Sequence, residues 1–269
     1  YTRSDGFVDA FIGIGDKQGR RTKLDNRSGC VYPKCGLYQS AHIPEKMVLD
    51  ELFGFVIGAY LAEGCLTKYH IMISNTDEKY IEKIKKWADK YNIKYHYDEE
   101  FKNNGYSRTI RMHSLVIAEL FGKLFQREVI HDAPELVNGE NTETVVDDIL
   151  EDITYDLHQE SKQSKHTVKS SSRTKHMPVF LLGAPDECLK GLIDGYFSGD
   201  GSISKKLVQM SADSVSKSLL ENISLVLRKF GILASIRKQP GAYKNAIRNG
   251  YQTTMSYHMF LNKHNSIQF

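Results

Sequence analysis

A chain of 269 residues, 41% hydrophobic and 26% charged, can bury a core of ordinary size, and its length suggests about two domains. No apolar run reaches membrane-spanning length, and four scattered cysteines (Cys30, Cys35, Cys65, Cys188) exclude a disulfide framework, so a reduced, intracellular protein is expected. The net charge of +3 conceals an asymmetry: residues 132–160 hold ten Asp and Glu and no Lys or Arg, leaving 36 basic against 23 acidic side chains elsewhere, a balance that suits a polyanionic partner.

The chain opens on Tyr1, as a fragment or a processed chain would, and residues 1–41 form a basic, glycine-rich segment (KQGRRTKLDNRSG). Cys30, Cys35 and His42 would supply three zinc ligands, but no fourth stands at a suitable spacing, so no zinc site is expected. His42-Ile43-Pro44 then leads into a helical stretch, LDELFGFVIGAYLAEG (49–64), whose Asp50-Glu51 pair favours a helix start. CLTKYHIMIS (65–74) alternates like a half-buried strand, with Tyr69, Ile71 and Ile73 inward. Thr76 can cap the next helix, which carries an apolar stripe of Ile81, Ile84, Trp87, Ala88 and Tyr91. Two strands, IKYHY (93–97) and SRTIRMH (107–113), flank Asn-Gly-Tyr (104–106), and the apolar helix SLVIAELFGKLF follows. Residues 132–176, first acidic and then Ser- and Lys-rich, read as a linker or insertion.

The same order then returns. His176-Met177-Pro178 precedes APDECLKGLIDGYFSGDG (184–201), and SISKKLVQMS (202–211) alternates with Val208 and Met210 inward. A helix striped by Leu219, Ile223, Val226, Leu227 and Phe230 stops at Gly231. ILASIRK (232–238), Asn-Gly-Tyr (249–251) and a strand, QTTMSYH (252–258), complete the copy. The chain ends at Phe269, so the final helix of this copy is expected to be incomplete. The repeat defines two halves, 42–131 and 177–269, each helix–strand–strand–helix–strand–strand.

Each half's first helix ends on an acid and a glycine, Glu63-Gly64 and Asp200-Gly201. Glycine inside a helix costs about 1 kcal/mol relative to alanine, and a carboxylate at a helix C-terminus faces the negative end of the dipole. Both costs make sense together. Gly58 and Ala62 in one copy, and Gly195 and Gly199 in the other, make smooth stripes that let two helix backbones approach closely. Paired in this way, the helices bring Glu63 and Asp200 side by side, an arrangement that divalent cations make favourable.

IGAYLAEG (57–64) and IDGYFSGDG (193–201) resemble the paired signature helices of LAGLIDADG homing endonucleases, and the wording is similar to endonuclease domains carried inside inteins. The resemblance implies an α+β fold of two pseudo-symmetric αββαββα halves forming a DNA-binding saddle. It also implies Mg²⁺-dependent cleavage of a long, asymmetric double-stranded DNA target by a monomer, with Mn²⁺ as a substitute ion and neither an organic cofactor nor a membrane. By position, Glu63 and Asp200 become the metal-binding acids, and Lys238 the basic residue near the scissile phosphate. The matching first-half position falls near Glu99, with Lys94 the alternative basic residue. The residues expected to face DNA are Lys68, His70, Thr109, Arg111 and His113 in one half, and Lys205, Gln209, Arg237, Gln252, Thr254 and Ser256 in the other. Residues 1–41 then read as a DNA arm or the remnant of a splicing domain. Two further classes share the fold: a maturase-like RNA-splicing cofactor, and a DNA-binding regulator without catalysis. Intact carboxylates at both helix ends favour an enzyme over the regulator.

Overall fold

The computed structural model describes residues 7–9, 24–27, 29–33, 42–67, 69–102, 105–126, 172, 174–204, 209–239 and 256–261. The chain divides into two units, Tyr1–Arg127 with Ser170–Phe269, and Glu128–Lys169. The second unit, which holds most of the expected linker, lies outside the described residues, as do Lys68, Lys205, Val208, Gln252, Thr254 and the expected final helix.

The repeat read from the sequence is a repeat of structure. In the first half, helix α1 (Glu51–Glu63) runs into strands β6 (Gly64–Leu66) and β7 (His70–Asn75). Helix α2 (Glu78–Lys90), strands β8 (Tyr95–Lys102) and β9 (Gly105–His113), and helix α3 (Leu115–Phe125) follow. The second half matches it with α4 (Asp186–Asp200), β10 (Gly201–Ser204), β11 (Gln209–Ser214), α5 (Lys217–Lys229), β12 (Ala234–Gln239) and β13 (Ser256–Leu261). Each half folds an antiparallel four-stranded sheet, in the orders β6-β7-β9-β8 and β10-β11-β13-β12.

Register fixes which side chains face inward, because the side-chain period of a strand is two. Ile71, Ile73, Ile110 and Met112 are fully buried on the first sheet, and Ala212, Met259 and Leu261 on the second. Tyr69 departs from expectation: it lies in the turn before β7, about half exposed, because residues 65–74 form a hairpin rather than one strand. The cap of α2 also moves by one residue, to Asp77, whose carboxylate accepts from the Lys79 N–H at 2.8 Å. Asp50 caps α1 as expected, accepting from the Phe53 N–H at 2.9 Å. Gly231 stops α5 in the left-handed conformation, with φ +76.

Helices α2 and α5 bury one face each, as their stripes require, whereas α1 is buried from Phe53 through Leu61. A helix apolar all round belongs in the centre. There Phe53 stacks on Trp87 with ring centroids 5.2 Å apart, and Phe121 packs edge-on to both Tyr60 and Trp87.

The described part of the N-terminal segment is tied to this body through strands. β1 (Phe7–Asp9) pairs with β5 (Lys46–Val48), while β2 (Leu24–Arg27), β3 (Cys30–Pro33) and β4 (Ile43–Pro44) form a three-stranded sheet. Val31, Ile43 and Met47 are fully buried in the same core. Among the described residues no helix is long and apolar enough to cross a membrane.

Candidate metal and nucleic-acid site

The close approach of α1 and α4 rests on five glycines. A Cβ at Gly58 would lie 2.1 Å from the Leu192 carbonyl oxygen, and one at Gly195 would lie 2.1 Å from that of Phe55. Gly54 and Gly191, which the sequence reading passed over, sit one turn earlier, with 1.9 Å and 2.0 Å to the Cys188 and Glu51 carbonyl oxygens. At the last turn a Cβ on Gly199 would meet Ala62 Cβ at 2.6 Å and Glu63 Cγ at 3.1 Å. The contacts are reciprocal, Gly54 on Cys188 mirroring Gly191 on Glu51, as an interface across a two-fold demands. No side chain larger than hydrogen fits at these positions without separating the helices.

The pairing delivers Glu63 and Asp200 to the same end. Neither Gly64 nor Gly201 adopts a left-handed conformation; each turns the chain directly from helix into strand, with φ of −73 and −75. A Cβ there would strike the last helical turn, 2.5 Å from the Tyr60 oxygen and 2.1 Å from that of Phe197. The acid-glycine pair is therefore what allows a helix to end on a carboxylate beside a strand.

Burial raises the Asp200 carboxyl to about 6, Glu63 adding to the rise and Lys175 opposing it. Burial also raises Glu63, again against Lys175. The Tyr80 hydroxyl, which donates to the Gly195 carbonyl at 3.2 Å, is pushed up by burial and by both carboxylates. No hydrogen bond or ion pair engages the Glu63 or Asp200 carboxylate among the described residues.

Lys175 is the residue the sequence reading missed. It is 4% exposed, and its Nζ donates to the Ala62 carbonyl at 3.1 Å. Burial lowers it to about 8, with Asp200 and Glu63 opposing that fall. Its backbone is held from both halves, by a bridge to Gln126 and by the Ser216 hydroxyl, which donates to the Lys175 carbonyl at 2.9 Å. Gln126 in turn donates to Tyr60 Oη at 2.7 Å. The expectation had placed Lys175 in the linker, in a Ser- and Lys-rich run without periodicity. Its one landmark was the repeated His-x-Pro, which it directly precedes.

Lys238 does not join the carboxylates. It lies on β12, paired with Tyr257 of β13, and β12 is the edge strand three places from β10, where Gly201 follows Asp200. At the usual strand spacing that separation is about 14 Å, beyond the reach of a lysine side chain. Register also confirms that Glu99 is its first-half counterpart: Gly64–Ile73–Ile110–Tyr97 align across one sheet as Gly201–Ala212–Met259–Ile236 do across the other. Lys94 is exposed just before β8, again on the far side of the sheet from β6.

The outward sheet faces carry the other described candidates. His70, Thr109, Arg111 and His113 share one face of the first sheet, and Gln209, Arg237 and Ser256 the corresponding face of the second. Arg111 Nε donates to Met72 Sδ at 3.3 Å, and Arg237 lies over the Phe260 ring at 4.7 Å. Among the described residues no group of three His, Cys, Asp or Glu side chains gathers as a metal cluster. The donor set at the helix ends is two carboxylates. Unbonded and mutually repelling, with Asp200 partly buried and Glu63 exposed, they fit a hard cation that completes its shell with water and phosphate oxygens.

Two α+β halves joined through glycine-lined helices, with an acid at each helix end, define a class, and comparison with known proteins gives its family. The LAGLIDADG-like domain matches residues 50–132 and 187–265, and the chain belongs to that family. It is similar to DNA-directed RNA polymerase subunit Rpo1C of Methanocaldococcus jannaschii, 30% identical over 242 residues, which are 89% of this chain and 22% of that protein. It is also similar to elongation factor 2 of Methanopyrus kandleri, 39% identical over 64 residues, 24% of this chain and 5% of that protein. The chain thus spans about a fifth or less of the length of these curated relatives. A solved structure of I-DmoI in complex with DNA and Mn aligns with 82% of this chain and 94% of its own, at 13% identity and a TM-score of 0.45.

Proposed function

We propose that this chain is the nuclease portion of an intein, a site-specific endonuclease that hydrolyses both strands of a long, asymmetric duplex with Mg²⁺. The observation that carries the reading is the convergence of Glu63, Asp200 and Lys175 at the paired ends of α1 and α4. The intein assignment is supported by the relatives. A polymerase subunit and a translation factor have no function in common, yet the chain resembles a minor segment of each, as a mobile element inserted into different hosts would.

Glu63 and Asp200 would hold the cation through their carboxylate oxygens. The cation, when bound, supplies an activated water and stabilises the leaving oxygen. The glycines of α1 and α4 set the separation of the two acids, and Gly199 keeps Ala62 and Glu63 against the partner helix. Lys175 keeps its proton near neutral pH, offsets the paired anions and presents a cation to a backbone phosphate. The outward sheet faces lie in the major groove, which admits a ribbon of strands. Arg111, Arg237 and Gln209 suit base edges there, while Thr109 and Ser256 suit phosphates. Because the halves differ, one chain forms one asymmetric site and acts as a monomer.

Incubation with Mg²⁺ and a randomised duplex library, followed by sequencing of the cut ends, tests the reading. Ends that share one long non-palindromic sequence support it. A library left intact by folded, Mg²⁺-loaded protein contradicts it.

A further inference from the structure

His70 and His113 stand opposite each other on the outward face of the first sheet, as Cα partners of β7 and β9. The His70 carbonyl accepts from the Thr67 N–H on the β6 side, and the His113 N–H donates to Lys94 on the β8 side. Each backbone thus bonds away from the other strand. The two form a non-hydrogen-bonded pair, the register in which facing side chains come closest. Their rings lie 5.5 Å apart between centroids, tilted by 48°. The other described outward histidines are tied to carboxylates, His96 to Asp98 and His258 to Asp213, each at 2.8 Å. The His70 and His113 rings have no hydrogen-bond partner among the described residues.

We propose that His70 and His113 form a two-imidazole chelate for a late first-row divalent cation, Zn²⁺, Ni²⁺ or Cu²⁺, distinct from the carboxylate site at the helix ends. Neutral imidazole is a ligand of choice for these ions, whereas Mg²⁺ selects oxygen. Burial, with His113 and Arg111 adding to it, lowers the proton affinity of His70 and favours the neutral, ligating ring. Arg111 is the nearby cation that works against metal uptake, and its side chain is turned toward Met72 and Asp98. Two ligands leave the remaining coordination positions to water.

Ni²⁺ titration of the whole chain by calorimetry, in excess Mg²⁺ to cover the carboxylates, tests the chelate. Wild type should take up one more equivalent than H70Q or H113Q, and the double variant should lose no more than either single one. Arg111→Ala should tighten the uptake of that equivalent, which a merely structural histidine pair would not show. Equal stoichiometry in wild type and both folded single variants overturns the proposal. A further arm rests on the function proposed above: bound duplex should close the approach and erase the difference between wild type and the double variant. Persistence of the difference in the DNA complex leaves the chelate standing and counts against placing DNA on this face.

Discussion

Helices α1 and α4 agree position by position along their shared face, while the outward faces of the two sheets diverge. Gly54, Gly58, Ala62 and Glu63 correspond to Gly191, Gly195, Gly199 and Asp200, and the contacts they make are reciprocal. On the sheets, register sets Asp98 against Arg237 and Glu100 against Gln239. The first sheet thus turns an acidic edge strand outward, lining a shallow hollow with Thr109 and Arg111, where the second turns a cation and an amide. Where backbone meets backbone, at Gly54, Gly58, Gly191 and Gly195, the pairing holds both copies to glycine, and the last turn allows only Ala62 opposite Gly199. Among the described residues the outward sheet faces carry no such backbone contact, and there the two copies differ in charge.

The largest effect should come from breaking the matched part. Overpacking a core that can adjust costs about 1–3 kcal/mol; at Gly58 or Gly195 the obstacle is an opposing carbonyl oxygen, which cannot rotate away. Gly195→Val is expected to abolish the cooperative melt in calorimetry, while Gly183→Ala, with nothing within 4 Å of its Cβ, leaves it unchanged. Equal melts for the two variants would show that the helices can part at no cost.

Next comes the asymmetry inside the site, where one lysine serves two acids. Lys175→Met should lower single-turnover cleavage by about 10²-fold or more, in the range of a lost electrostatic catalyst. Lys238→Met, about 14 Å away across the sheet, should stay within about twofold, as exposed substitutions usually do. The reverse ranking would return the catalytic role to β12.

The third effect has the opposite sign. The folded state raises the Asp200 carboxyl from 3.8 to about 6, so it binds a proton more tightly than the unfolded chain does. Stability from this group is fully present below about pH 4 and is lost as pH rises through about 6. Without Mg²⁺, Asp200→Asn should therefore be more stable than wild type at pH 7, by on the order of 1–2 kcal/mol after allowance for solvent screening. Denaturant melts at pH 7 and pH 4 check this, the gain vanishing at the lower pH. A variant less stable than wild type at pH 7 would mean that the carboxylate is satisfied without a metal.

The smallest effects should separate the two sheets. Arg237→Gln is expected to weaken duplex binding and to relax sequence preference at the one base pair that Arg237 reads. Asp98→Asn should strengthen binding slightly, because an anion beside phosphate has gone. If both variants weaken binding alike, the acidic strand makes contacts of its own with the bases.

The repeat, both sheets and the helix pairing were legible because each has a period: four-residue spacing of small residues, two-residue alternation on strands, and a fixed offset between copies. What escaped lacked a period. The turn inside residues 65–74, which exposes Tyr69, is set by Thr67, whose hydroxyl accepts from the His70 N–H at 3.2 Å. Lys175 belongs to no helix or strand and reaches the site through a bridge to Gln126, a residue 49 positions earlier. Lys238 was nominated by strand position alone, and the order of strands within the sheet, which no local pattern encodes, sets it apart from the carboxylates. Gly54 and Gly191 were within reach, since they extend the same four-residue stripe by one turn.

The central claim is that Glu63 and Asp200 together hold the ion that cuts. Cleavage by the Glu63→Gln, Asp200→Asn double variant, purified free of host nucleases and assayed with Mg²⁺ on a duplex the wild type cuts, tests it most directly. Amides keep the shape and remove the charge, so both strands should remain intact while binding to the same duplex survives. Cleavage of either strand at the wild-type rate would contradict the account.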